Sequence, residues 1–235
     1  MRACVVLPTL NEAENLAALV ARLRAAAPEV ELLVVDDEST DGTAALADRL
    51  ASADPLVRVA HRVGKKGYGE ALTEGFRSAM AAGAEVLASM DADFSHDPDD
   101  LPRLLAALAG ADVAIGSRYV EGGGIRDWPP HRRLLSATAN AFVRALFSLP
   151  VRDCTSGFRA YRRAALESVP WGRLHSAGYS FLVEVLYWTC RHGFRTVEVP
   201  IVFVDRKRGR SKMGLRQIVM GAANLIKVRL GRRDP

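Results

Sequence analysis

The chain alternates short apolar runs with amphipathic stretches, and that alternation restricts its fold more than any single motif does. Ala3-Cys4-Val5-Val6-Leu7 reads as a buried strand stopped by Pro8, and a helical pattern follows from about Glu12 to Ala27, with Asn11 or Thr9 as its cap. Glu31 to Val35 gives a second strand, Thr43 to Ala51 a second helix capped by Asp41, and Val57 to Ala60 a third strand. A glycine-spaced turn, Gly64 to Gly69, leads into a helix through Ala82. Its spacing fits neither dinucleotide nor Walker loops, so a tight helix entry is expected, with Lys65 and Lys66 near an anion. Glu85 to Met90 is the fourth strand, a helix spans about Asp99 to Ala109, and Asp112 to Gly116 is the fifth strand. Strands that alternate with helices imply right-handed crossovers, a mostly parallel sheet, and ligands beyond the carboxyl ends of the strands.

Polar motifs stand at those ends. Met90-Asp91-Ala92-Asp93 leaves the fourth strand, and residues two apart on extended chain share a side, so Asp91 and Asp93 can converge on one hard cation. Magnesium or manganese held by one or two carboxylates keeps positions open for phosphate oxygens. The ordinary alternative is a solvated turn. After the fifth strand the alternation loosens: a helix runs from about Leu134 to Leu146, Arg195 to Val204 alternates as a late strand, and Arg206 to Gly214 is a basic loop. Beyond it Leu215, Ile218, Val219, Ala222, Leu225 and Ile226 form a helical stripe with a basic end.

Of the 235 residues 49 % are hydrophobic, enough for one large core, and the net charge of +5 favours anionic partners. Nucleic acid is disfavoured, since no helix-turn-helix, zinc or aromatic RNA-binding signature is present. Three cysteines at wide spacing read as reduced, buried thiols. The first apolar run is too short for a signal-peptide core, and no apolar stretch is long enough to span a bilayer, so a cytoplasmic chain is expected.

Together, Pro8-Thr9-Leu10-Asn11-Glu12, Val35-Asp36-Asp37, Asp41-Gly42-Thr43, Asp91-Ala92-Asp93 and Gly116-Ser117-Arg118-Tyr119 resemble the inverting GT-A glycosyltransferases of family two. Asp153-Cys154-Thr155-Ser156-Gly157-Phe158-Arg159 and the segment Phe203 to Lys212 resemble the dolichyl-phosphate (polyprenyl-phosphate) mannosyltransferases within it. The resemblance implies an α/β, Rossmann-like catalytic domain over residues 1–212, followed by a C-terminal amphipathic helix over 213–235. That helix packs on the domain, lies on a membrane surface or meets a separate membrane subunit. The implied donor is GDP-mannose and the implied acceptor a polyprenyl phosphate, with the protein peripheral on the cytoplasmic face of the membrane.

By the same resemblance Pro8, Leu10, Glu12, Val35 and Asp37 line the nucleotide pocket, with Leu10 where relatives often carry Tyr. Asp91, Ala92 and Asp93 bind the diphosphate and its Mg2+ or Mn2+. Ser95 stands where relatives often supply a metal-facing Gln. A lipid phosphate is already an anionic nucleophile, so attack calls for positive charge rather than a base. Arg118, Arg132, Arg206 and Lys212, with Ser136 and Ser211 donating hydrogen bonds, are the expected grip on acceptor phosphate and departing diphosphate. Asp153 is expected to organise its loop, and His96 to bridge backbone groups. The same scaffold accommodates a glucosyltransferase using UDP-glucose, or transfer to a glycan hydroxyl with Asp153 as base.

Overall fold

A computed structural model describes residues 2–64, 67–174, 178–205, 221, 224–226 and 228–229. Its elements are β1 (Ala3–Thr9), α1 (Ala13–Ala26), β2 (Glu31–Asp36), α2 (Thr43–Ala53), β3 (Val57–His61), α3 (Tyr68–Ala81), β4 (Val86–Ser89), α4 (Leu101–Ala107), β5 (Val113–Ser117), β6 (Gly124–Arg126), α5 (Pro130–Phe147), β7 (Arg159–Arg162), α6 (Arg163–Glu167), α7 (Tyr179–Arg191), β8 (Thr196–Pro200) and β9 (Val202–Val204). Seven strands form one sheet in the order β3-β2-β1-β4-β7-β5-β8, and β6 pairs with β9 in a separate parallel ribbon.

Every strand of the large sheet runs parallel to its neighbours except β7, which lies antiparallel between β4 and β5. Successive residues of the central strands feed opposite cores. Cys4 and Val6 of β1 pack with α3, α7 and the end of α5, whereas Val5 and Leu7 pack with α1, α2 and α4. On the first face α3 approaches closely, since a Cβ on Gly75 would overlap Val6 Cγ1 and stand 3.0 Å from Val35 Cγ2.

The strand order reverses at β1 and β4, so their carboxyl ends open a crevice, and residues 8–12 and 91–97 leave from there. Three non-glycine residues take left-handed backbone at such ends: Asn11 after β1, Glu38 after β2 and Phe94 after β4. Asn11 is no helix cap: its side-chain carbonyl accepts from Thr40 N at 2.8 Å. Thr9, inside β1, donates to Val35 O. The first turn of α1 is satisfied from α2's entry, by Thr43 Oγ1 at Glu12 N (2.8 Å) and Asp41 Oδ2 at Ala13 N (3.1 Å). The capping position of α2 is Gly42 rather than the expected Asp41, in left-handed backbone; Asp41 before it accepts from Thr43 N at 3.0 Å, so one carboxylate braces the entries of two helices.

The late strand splits at Ile201 into β8 and β9, each pairing with a different sheet. The C-terminal stripe is helical where described: Leu225 and Val228 are buried in the first core, and Arg229 Nε donates to Leu146 O at 3.1 Å. Ile226 faces outward instead. Leu215, Ile218, Val219 and Ala222 lie outside the described residues.

Candidate active site

Asp91 and Asp93 sit just beyond β4, and each is held by a neighbour. Tyr68 Oη, from the first turn of α3, donates to Asp91 Oδ1 at 2.9 Å. Asp93 accepts from Ser95 N at 3.0 Å and from the Ser95 hydroxyl. The Ser95 side chain therefore braces a carboxylate. His96 is buried, and its Nδ1 accepts from Asp91 N at 3.4 Å. Burial lowers its pKa below the ordinary value, outweighing the pull of Asp91 and Asp93.

Glycine at residue 157 lets Tyr68 and Asp91 approach the chain closely. A Cβ there would lie 2.5 Å from Tyr68 Oη and 3.0 Å from Asp91 Oδ1. Asp91 and Asp93 are hard oxygen donors of the kind that magnesium or manganese takes. Among the described residues no cluster of three or more His, Cys, Asp or Glu forms a closed cage.

At the neighbouring strand ends, Asp37 accepts from Arg62 and from Gly67 N at 2.7 Å, which ties the entry of α3 to the end of β2. Asp36 accepts from Ser39 N at 3.1 Å. Pro8, Leu10 and Glu12 are partly exposed along this rim, while Val35 and Ala92 are buried, so their side chains serve the core. Lys65 and Lys66 lie outside the described residues.

The basic side is built on the loop before β7. Asp153, without exposure, accepts from Arg118 N (3.0 Å), Nε (2.7 Å) and Nη2 (2.7 Å), and from Ser156 N (3.1 Å). Burial pushes its carboxyl up, but Arg118 outweighs burial and holds it below the usual carboxylate value. Arg159, fully buried in the sheet, donates to the carbonyls of Ser156, Leu182 and Cys154 at 2.6–2.7 Å and so fixes the same loop. Arg118 is committed to Asp153 rather than extended into the cleft.

Arg132, on the first turn of α5, is partly exposed; its Nη1 donates to Asp205 Oδ2 at 2.9 Å. Ser136, one turn on, accepts from Tyr119 Oη at 2.7 Å. Val204 N donates to Ser95 O at 3.1 Å, which docks the β6–β9 ribbon against the acidic turn. Phe203 then touches both sides, with ring centres 5.3 Å from His96 and 5.3 Å from Trp128, and the Arg118 guanidinium 5.5 Å away. Contacts through Phe203, Trp128 and Tyr119 thus connect the turn of Asp91, Asp93 and Ser95 with Arg118, Arg132 and Ser136. Arg206, Ser211 and Lys212 lie outside the described residues.

Sequence reasoning passed over Tyr68, Arg62 and Gly157. Tyr68 stands in the glycine-spaced turn and Gly157 in the 153–159 motif, so both lay inside marked segments. Nothing local singles out Arg62, which acts across the sheet.

The sequence matches Glycosyl transferase family 2 over residues 4–169. It is 50 % identical over 214 residues to a polyprenol monophosphomannose synthase of Mycolicibacterium smegmatis, covering 90 % of this chain and 81 % of that protein. It is 46 % identical over 213 residues to an undecaprenyl-phosphate mannosyltransferase of Micrococcus luteus, covering 91 % of this chain and 88 % of that one. Among solved structures, a Mycobacterium tuberculosis glucosyl-3-phosphoglycerate synthase in complex with Mn2+ and UDP aligns with a TM-score of 0.71 at 24 % identity, over 99 % of this chain and 81 % of that chain. A Pyrobaculum calidifontis mannosyltransferase in complex with GDP-Man and Mn2+ aligns with a TM-score of 0.64 at 20 % identity, over 100 % of this chain and 65 % of that chain. At those identities the solved structures establish a shared fold.

Proposed function

Because the chain belongs to glycosyl transferase family 2, we propose that it moves mannose from GDP-mannose to a polyprenyl phosphate, with inversion, giving polyprenyl β-phosphomannose. The observation that carries this reading is Phe203, whose ring bridges the acidic turn of Asp91 and Asp93 to the cluster of Arg118, Trp128 and Arg132. Acids suited to a metal diphosphate and a partly exposed guanidinium suited to a second anion are thereby linked through one ring, which supports phosphate attack on a nucleotide sugar. The similarity to the two bacterial mannosyltransferases supports the choice of sugar and of lipid.

In this reading the rim from Pro8 to Glu12, with Asp37, seats the nucleoside, and Asp91 and Asp93 hold magnesium or manganese. The bound ion supplies charge to the departing GDP. Arg132 and Ser136 receive the acceptor phosphate, joined by Arg206, Ser211 and Lys212, while Arg118, paired with Asp153, braces the loop beneath them. No base is needed. Asp153, saturated with hydrogen bonds and paired with Arg118, is unsuited to deprotonate a hydroxyl, which weighs against transfer to a glycan.

We further propose that the protein works as a peripheral enzyme on the cytoplasmic face of a membrane. No helix among the described residues is long and apolar enough to cross one. Helix α5 supports surface contact: Leu134 is 70 % exposed, Leu135 and Phe142 are exposed beside it, and residues 130–147 contain no acidic side chain.

Incubation of the protein with magnesium or manganese, labelled GDP-mannose or UDP-glucose, and polyprenyl phosphate, followed by organic extraction, tests the reading. Label from GDP-mannose enters the lipid phase, and chelation or Asp93→Asn abolishes it. Preferential labelling from UDP-glucose would overturn the donor.

A further inference from the structure

Arg132 is held from two sides, and the two contacts differ in what they leave over. Its ion pair with Asp205 occupies Nη1 and offsets its charge. On the other side its guanidinium carbon lies 4.0 Å from the centre of the Trp128 ring. Stacking of this kind uses the flat face of the cation, whereas the N–H bonds point outward in the plane. A guanidinium laid on an indole is therefore oriented without spending a donor.

Trp128 is built to be such a platform. It is 7 % exposed, and it meets Phe203 edge to face at 5.3 Å and 69°. Asp127 before it adopts φ 62°, reversing the chain between β6 and α5. The Trp128 carbonyl accepts from Arg133 Nε at 3.1 Å, tying it to the same helix turn as Arg132. The indole N–H is buried without a hydrogen-bond partner among the described residues. What distinguishes tryptophan from leucine at this position is thus its electron-rich face, and that face meets Arg132.

We propose that Trp128 is a positioning residue for the acceptor phosphate: it holds the plane of Arg132 so that the arginine exchanges Asp205 for phosphate oxygens without losing its orientation. The proposal rests on Arg132 being a ligand of the acceptor phosphate, and the experiment separates the two ideas. Steady-state kinetics on the full chain, with GDP-mannose and polyprenyl phosphate varied in turn, compare Trp128→Leu, Trp128→Phe, Arg132→Ala and the double variant Trp128→Leu/Arg132→Ala. Trp128→Leu raises the KM for polyprenyl phosphate about tenfold, the scale of a partly desolvated cation–π contact, and leaves the KM for GDP-mannose unchanged. Trp128→Phe recovers most of the loss, and the double variant is no worse than Arg132→Ala alone.

Unchanged acceptor kinetics in Arg132→Ala would overturn the assignment of Arg132 and this proposal with it. A damaged Arg132→Ala beside a normal Trp128→Leu, or losses that multiply in the double variant, overturns the role of Trp128 alone. Where melting shows that the leucine variant is poorly folded, Trp128→Phe decides: a rise of about two- to threefold in acceptor KM is expected from its weaker ring face, and no rise refutes the proposal.

Discussion

In Asp153 a side chain without exposure carries the charge that lets Arg118 sit beneath the crevice. Removing one partner of a buried ion pair leaves the other uncompensated, so Asp153→Asn should lower the unfolding free energy by about 3–5 kcal/mol near neutral pH, measured by denaturant titration. The pH dependence has a definite sign. A carboxyl whose pKa is lower folded than unfolded favours the fold once the unfolded form ionises, and that advantage disappears as pH falls through the folded value. Asp153 lies below its ordinary 3.8, so its contribution is lost under acid conditions, and the Asn variant lacks that part of the acid transition. A second residue acts by what it omits. Gly157→Ala drives a methyl group toward Tyr68 and Asp91, and displacement of Asp91, a metal ligand in the proposed reading, should cut turnover about 100-fold, with metal titration showing weaker binding. The thiols are inert by comparison: burial pushes Cys4 up to about 11 and Cys154 up to about 12, so neither should react with a thiol reagent at pH 7 while the chain is folded.

Helix α3 sets the site from one end, giving Tyr68 to Asp91 and the Gly67 amide to Asp37. Its depth on the sheet depends on Gly75. Alanine there overpacks Val6 and Val35 and should destabilise the fold by about 1–3 kcal/mol in thermal or chemical unfolding. The parallel strands were legible because burial on both faces writes them as continuous apolar runs, Val5-Val6-Leu7 and Leu32-Leu33-Val34-Val35 among them. Strand β7 was not. Arg159-Ala160-Tyr161-Arg162 carries two arginines in four residues, and its place in the sheet depends on carbonyls of Cys154, Ser156 and Leu182, which no local pattern announces. The ribbon was equally hidden: β6 is three residues long, and its partner β9 follows 76 residues after its last one, since Val202 comes that far beyond Arg126. For the site, the place of Asp91 and Asp93 just past a strand could be read, but not the turn at Ala92 and Asp93 that replaces the expected extended chain. The commitment of Arg118 to Asp153 could not, because it joins residues 35 apart.

At the scale of the molecule, three of the five exposed large hydrophobic side chains among the described residues lie on α5. With Leu134, Leu135 and Phe142 outward and Arg132, Arg133 and Arg144 on the same helix, anionic vesicles should retain the protein, and replacing the three apolar residues by Gln should weaken flotation about tenfold or more. Raised salt should weaken it further through the arginines. A triple variant that floats as well as the original chain argues for another contact surface.

The β6–β9 ribbon shares no strand with the seven-stranded sheet, yet Asp205 at its end and Trp128 just beyond its start flank Arg132. In the proposed reading, recognition of the incoming lipid is mounted on an outrigger, while the nucleotide is received by the hull. Substitutions confined to that appendage would then alter the choice of greasy anion, with the donor half folding as before.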